Sequence, residues 1–148
     1  MDTPPFAPIG IDHIVLRVAD LHQMLAFYCG VLGCTVDKEQ PGLGLTQLRA
    51  GRSLIDLVTL DGALGRKGGA GPGAEGRNLD HFCLTIAPYD EDALQAWLTG
   101  HGVEVPEAGL RYGAEGEGPS LYVRDPEGNV VELKRPARPP GTTGEHLG

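Results

Sequence analysis

The chain has no excess of basic charge, no long apolar run and no cysteine framework, and each lack closes off a class of function. Lys and Arg number 12 against 20 Asp and Glu, a formal net charge of −8. Proteins that hold nucleic acid do so largely by neutralising phosphates with Lys and Arg, so no nucleic-acid partner is expected. The longest apolar stretches, such as IVL at 14–16, fall far short of the roughly 20 residues of a membrane-spanning helix. Residues 1–10 lack the basic and apolar regions of a signal peptide. A cytoplasmic protein with no membrane partner is the expectation. Three cysteines, Cys29, Cys34 and Cys83, form an odd set without CxxC spacing, which predicts small reduced thiols rather than disulfides or a thiolate zinc site.

What is abundant is glycine, 23 of 148 residues, about twice the usual share of roughly 7%. It concentrates in 61–77 and 100–118, which are expected to be loops. The length and the 41% hydrophobic fraction suit one compact domain.

An internal repeat organises that domain. IDHIVLRVA at 11–19 lines up with LDHFCLTIA at 79–87, and SLIDL at 53–57 with NVVEL at 129–133. Alternating polarity makes these segments strands. A helix follows the first strand of each pair, capped by Asp20 (with Gln23 at the capping-box position) or by Asp90, and closed by Gly33 or Gly102. Further strands are expected at 34–39, 43–49 and 53–60 in the first half. In the second half they are expected at 103–105, within 110–113 joined to 120–124, and at 129–134. The unit is βαβββ, present as 9–60 and 79–135, with 61–77 as a linking loop and 136–148 as a disordered tail. A loop as long as 61–77 suits a mobile cover at the mouth of a site.

Side chains alternate faces along a strand. Ile14, Leu16 and Val18 share one face of the first strand, and His13, Val15 and Arg17 the other; Phe82, Leu84 and Ile86 oppose His81, Cys83 and Thr85 in its repeat. The apolar faces are expected under helices whose own apolar residues are Leu21, Leu25, Tyr28 and Leu32, then Leu94, Trp97 and Leu98. The same parity sends Asp56 and Glu132 to the side of the histidines. Each residue alone is ordinary, but His and an acid at equivalent positions in both halves form an N/O donor set suited to Zn²⁺, Ni²⁺, Mn²⁺ or Fe²⁺. Tyr122 and Arg124, just before the DPEG turn, are candidates for the same face. Cys83 faces that way too, with nothing nearby in sequence to make it a nucleophile.

The motifs IDHIVLRVADL, FYCGVLG, LDHFCLTI and YVRDPEGNVVEL resemble the vicinal oxygen chelate superfamily over about 9–135. That resemblance implies an α+β fold in which paired βαβββ units form a half-open barrel, with the helices on its convex side. It also implies one divalent metal ion held at His13, Asp56, His81 and Glu132. Asp56 is one methylene shorter than the glutamate usual in glyoxalases, leaving direct or water-mediated ligation open. Arg17 matches an arginine that holds a glutathione carboxylate, yet Leu60 stands where the accompanying asparagine is expected, which argues against glutathione.

The leading functional expectation is a metal-dependent lyase or isomerase of glyoxalase type acting on a small oxygenated metabolite. Glu132 is the first candidate for the proton-moving carboxylate, Asp56 the second, and Arg17, Tyr122 and Arg124 are candidates for substrate binding. Alternatives are an Fe²⁺ extradiol-type dioxygenase, a fosfomycin-resistance-type transferase, and a metal-free drug-binding protein of the bleomycin-resistance type. The resemblance further implies a homodimer, with the site drawn from one chain or shared between two.

Overall fold

A computed structural model describes residues 3–137, which divide into two compact units between Gly71 and Pro72. The break falls within the glycine-rich stretch at 61–77. In the first unit, β1 (His13–Val18) leads into α1 (Leu21–Leu25), a π-helical segment (Ala26–Val31), β2 (Thr35–Gln40), β3 (Leu45–Ala50) and β4 (Ser53–Thr59). The second repeats the order with β5 (Phe82–Thr85), α2 (Glu91–Gly100), β6 (Glu107–Gly113), β7 (Gly116–Arg124) and β8 (Val130–Lys134). Each unit therefore holds a four-stranded mixed sheet, β1-β4-β3-β2 and β5-β8-β7-β6, with its first strand parallel to its last. This is the expected α+β architecture of two βαβββ units.

The caps form as their residues dictate. The Asp20 side chain accepts from the Gln23 amide at 3.0 Å and Asp90 from Ala93 at 3.1 Å, supplying acceptors to the otherwise unpaired first-turn amides. Gly33 and Gly102 follow the two helices at φ +81° and +71°, in the left-handed region a side chain would resist.

Several local expectations need correction. Residues 103–105 form no strand; the partner of β7 is β6, which runs Glu107–Gly113, and β7 begins at Gly116, ahead of the expected Ser120. The glycines at 100–118 are thus not confined to a loop, because paired backbone amides and carbonyls sustain a ladder where side chains are missing. In the first helical segment the buried residues are Met24, Phe27 and Tyr28, while Leu21, Leu25 and Leu32 are only half-buried. The wider π-helical turn shifts the phase of the inward face from the one a 3.6-residue period gives. In α2, Leu98 is fully buried but Trp97 stays 49% exposed, stacked on His101 instead of entering the core. The tail expectation for 136–148 falls almost wholly outside the described residues.

Register fixes the faces. Leu16 lies beside Leu57 and Ile14 beside Ile55, while Leu48 opposite Ile55 continues the apolar face of the first sheet. Its other face carries His13, Val15, Arg17, Gln47 and Asp56. In the second sheet, Leu84, Leu121, Val123, Val131 and Leu133 share the apolar face, and Cys83, Ser120, Tyr122, Arg124, Glu132 and Lys134 the other. Leu48, Leu57, Leu121, Val123 and Val131 are fully inaccessible to water. Burial of this size, about 1.5–3 kcal/mol for a large apolar side chain, pins the polar residues to the opposite faces, since a one-residue slip would invert both sets.

Candidate functional site

In the first unit, His13 opens β1 and Asp56 sits within β4. The His13 Nδ1 lies 2.8 Å from Asp12 Oδ1, and its Nε2 lies 3.9 Å from Asp56 Oδ2. Asp56 is only 5% exposed. Its carboxylate accepts from Gln47 Nε2, at 3.2 Å and 3.3 Å to its two oxygens, across the β3–β4 register. The Asp12 hydrogen bond, with the Asp56 charge beside it, raises the His13 pKa despite a smaller opposing effect of burial.

The second unit repeats the arrangement more tightly. His81, one residue before β5, has Nδ1 2.7 Å from Asp80 Oδ2 and Nε2 3.2 Å from Glu132 Oε1. The buried Ser120 hydroxyl donates to Glu132 Oε2 at 2.7 Å. Burial pushes the Glu132 carboxyl up, but hydrogen bonds from Ser120 and Tyr122, the His81 charge and the Cys83 thiol together outweigh it and hold the group below its usual range. Tyr122 stands opposite Glu132 in register and edge-on to the His81 ring, with centroids 5.4 Å apart. Arg111 Nε donates to the Tyr122 hydroxyl at 3.2 Å and also pairs with Glu107. Desolvation and the neighbouring Glu132 carboxylate push the Cys83 thiol up to about 11, so it is protonated near neutral pH and is no nucleophile there.

Both histidines share one electrostatic logic. An aspartate accepting from Nδ1–H fixes the tautomer and leaves the Nε2 lone pair toward a carboxylate oxygen. Two acceptors facing each other at 3.2 Å need a positive group between them, either a proton on the imidazole or a cation. These residues therefore fit a divalent metal by donor chemistry: imidazole nitrogen, carboxylate oxygen, and an outer carboxylate behind each ring. Each unit brings together one histidine and one acid of the expected set; among the described residues no three His, Cys, Asp or Glu side chains gather as a metal cluster.

The other expected residues are placed as follows. Arg17 shares the His13 face, and its guanidinium donates to the carbonyls of Gly65, Gly69 and Ala70. A Cβ at Gly68 would come within 2.5 Å of that guanidinium, so glycine is what lets the loop close over it. Arg124 lines an open cavity of about 720 Å³ in the second unit, together with Arg77, Asp80 and Val130. Arg77 donates to Asn129 and to the Glu127 carbonyl, joining the loop to the DPEG turn.

Asp12 and Asp80 were not among the candidates, although the repeated dipeptide Asp-His carries them in plain view. Gln47, Ser120 and Arg111 had no comparable signal, since their places depend on strand register. No helix among the described residues is long and apolar enough to cross a membrane.

Residues 10–133 match the family model for the glyoxalase/bleomycin resistance protein/dioxygenase superfamily. The glyoxalase domain-containing protein RDO1 of Mycosarcoma maydis is 29% identical over 84% of this chain and 66% of its own length. Biphenyl-2,3-diol 1,2-dioxygenase 2 of Rhodococcus globerulus is 31% identical over 89% of this chain and 63% of its own. The chain thus spans slightly less than two thirds of each of these. Virulence protein STM3117 of Salmonella typhimurium is 32% identical over 84% of this chain and 83% of its own. Its crystal structure superimposes with a TM-score of 0.68, covering 88% of this chain and 98% of that one. With the repeated βαβββ units and their paired His and carboxylate positions, the match establishes that the chain belongs to the glyoxalase/bleomycin resistance protein/dioxygenase superfamily.

Proposed function

We propose that the protein is a metal-dependent lyase or isomerase of glyoxalase type acting on a small oxygenated metabolite. The observation that carries this reading is the duplicated Asp–His–carboxylate arrangement: Asp12, His13 and Asp56 in one unit, Asp80, His81 and Glu132 in the other. His13, Asp56, His81 and Glu132 are the proposed ligands of one divalent ion, Zn, Ni, Mn or Fe, within one chain or across two chains of a homodimer. Bound there, the metal would act as a Lewis acid on vicinal substrate oxygens.

The chain's own residues supply the rest. Asp12 and Asp80 orient the imidazoles. Glu132, kept ionised by Ser120, Tyr122 and His81, moves a proton between adjacent substrate carbons, with Asp56 as the second candidate for that role. Tyr122, its hydroxyl accepting from Arg111 and donating to Glu132, holds that carboxylate where it meets the substrate. Arg124 borders the second unit's cavity, where a substrate group can enter. Arg17, engaged by three loop carbonyls, positions the loop at 65–70 against β1.

A deuterium-exchange assay tests this reading. Metal-loaded protein is incubated in D₂O with a panel of small α-hydroxy ketones and aldehydes. The expected result is deuterium at the α-carbon of at least one, lost with Glu132→Gln and with chelator. Absence of exchange throughout the panel would overturn the reading. The similarity to the Rhodococcus dioxygenase favours one second reading, an Fe²⁺ enzyme using His13, His81 and Glu132. Oxygen uptake with catechols by iron-loaded protein would select it.

A further inference from the structure

We propose that Lys134 receives an anionic group of the substrate, a carboxylate or a phosphate, on the polar face of the second sheet. The inference rests on the reading that this face carries the substrate, and it narrows the substrate class to oxygenated molecules bearing an oxyanion.

Lys134 is 7% exposed, a rare condition for a lysine without a counter-charge. It follows Glu132 by two residues on β8, so both side chains rise from one face, about 7 Å apart along the strand. Across the sheet it stands beside Thr85 and Ser120, both neutral. Among the described residues no carboxylate forms an ion pair with it: the nearest acid on its strand, Glu132, is engaged by His81 and Ser120. The Arg135 guanidinium approaches the same point, 3.8 Å from where a Gly118 Cβ would stand, so two positive groups converge beside Lys134 Nζ and an oxyanion is the complementary ligand.

The surrounding strands make room for this side chain. A Cβ at Gly113 would lie 2.9 Å from Lys134 Cε, and one at Gly118 would lie 3.0 Å from Nζ. The bare backbones of β6 and β7 thus form a slot for the lysine stem, and side chains there would displace the ammonium. The first unit has no counterpart: the repeat puts Val58 at the position of Lys134, and the cation on that face, Arg17, is engaged by loop carbonyls. The anion-binding role is therefore assigned to the second unit alone.

The chain has three lysines, Lys38, Lys67 and Lys134, of which the first two are exposed. Selective ¹³Cε labelling of lysine therefore gives three side-chain signals, assigned through Lys38→Gln and Lys67→Gln. Chelator-treated protein is titrated with inorganic phosphate and, separately, with acetate at constant ionic strength. The expected result is a saturable shift of the Lys134 signal with at least one anion, while the other two drift together without saturation; the anion that saturates first identifies the substrate group. Lys134→Met keeps the stem in its slot and is expected to weaken that binding by about tenfold or more. A Lys134 signal that follows the other lysines, or full affinity in Lys134→Met, would overturn the proposal. Because the titration needs no metal and no turnover, failure of the metal reading would leave its outcome unchanged and would be recognised separately.

Discussion

At the scale of single residues, the aspartate behind each histidine determines what the ring can do. Asp80→Asn removes the charge that fixes the Nδ1–H tautomer, and outer-carboxylate changes of this kind weaken metal binding by roughly 10- to 100-fold. Asp12→Asn is expected to act the same way on His13; competition with a chromophoric chelator measures both, and unchanged affinity in both would contradict the role assigned to these aspartates. The carboxylates have their own pH signature. Glu132 is held below its usual range in the fold, so it contributes stability above its unfolded value, and that contribution is lost as pH falls through the folded one. Ser120→Ala removes one of the hydrogen bonds responsible and is expected to raise the Glu132 carboxyl, read from its ¹³C titration. His13 has the opposite sign. Its raised pKa favours the fold at low pH, and the advantage fades as pH rises through the folded value. Since a ligating imidazole must be neutral, metal affinity is expected to fall on acidification while that proton-linked contribution is still present. His13, Asp56, His81 and Glu132 were legible because the repeat puts the same chemistry on the same parity twice; Ser120 and Gln47 were not, because only pairing between strands brings them to the carboxylates.

At the scale of elements, the legible parts were those with both a period and a cap. β1, β4 and β8 keep their polar residues His13 and Arg17, Asp56, and Glu132 and Lys134 on one parity and Leu16, Ile55, Leu57, Val131 and Leu133 on the other, and Asp20 and Asp90 announce the helices they cap. The π-helical turn after α1 was not legible, because one wider turn changes the phase of burial without leaving a residue signature. β6 was hidden for a different reason: glycine-rich sequence reads as loop, yet Gly109 and Gly113 sit in a ladder whose hydrogen bonds need no side chains, and the Arg111 guanidinium at Gly109 and the Lys134 stem at Gly113 occupy the space their side chains would take. The stretch at 61–77 was read as a loop over a site, and Arg17 ties its middle to β1 through three carbonyls. Arg17→Met keeps the apolar stem and removes those bonds. Faster amide hydrogen exchange at Arg66, Lys67 and Gly69, with β3 and β4 amides unchanged, is the expected outcome; equal exchange in both proteins would show that the guanidinium does not hold the loop.

At the scale of the whole molecule, one βαβββ plan used twice explains why so much of the chain could be read. The second copy confirms the faces of the first, and the differences between copies, Gln47 against Tyr122 opposite the acids and Val58 against Lys134 beyond them, mark where the two halves have specialised. A homodimer remains the proposed assembly, and light scattering at micromolar concentration is expected to give twice the 15.6 kDa chain mass. A mass equal to one chain would rule it out. The most direct measurement is elemental analysis of protein purified without chelator or a metal-binding tag, together with its His13→Ala and His81→Ala variants, whose apolar faces are untouched. One divalent ion per chain in the parent protein, and loss of stoichiometric metal in both folded variants, is the expected result; a metal-free parent, or full occupancy after removal of either histidine, would contradict the metal centre.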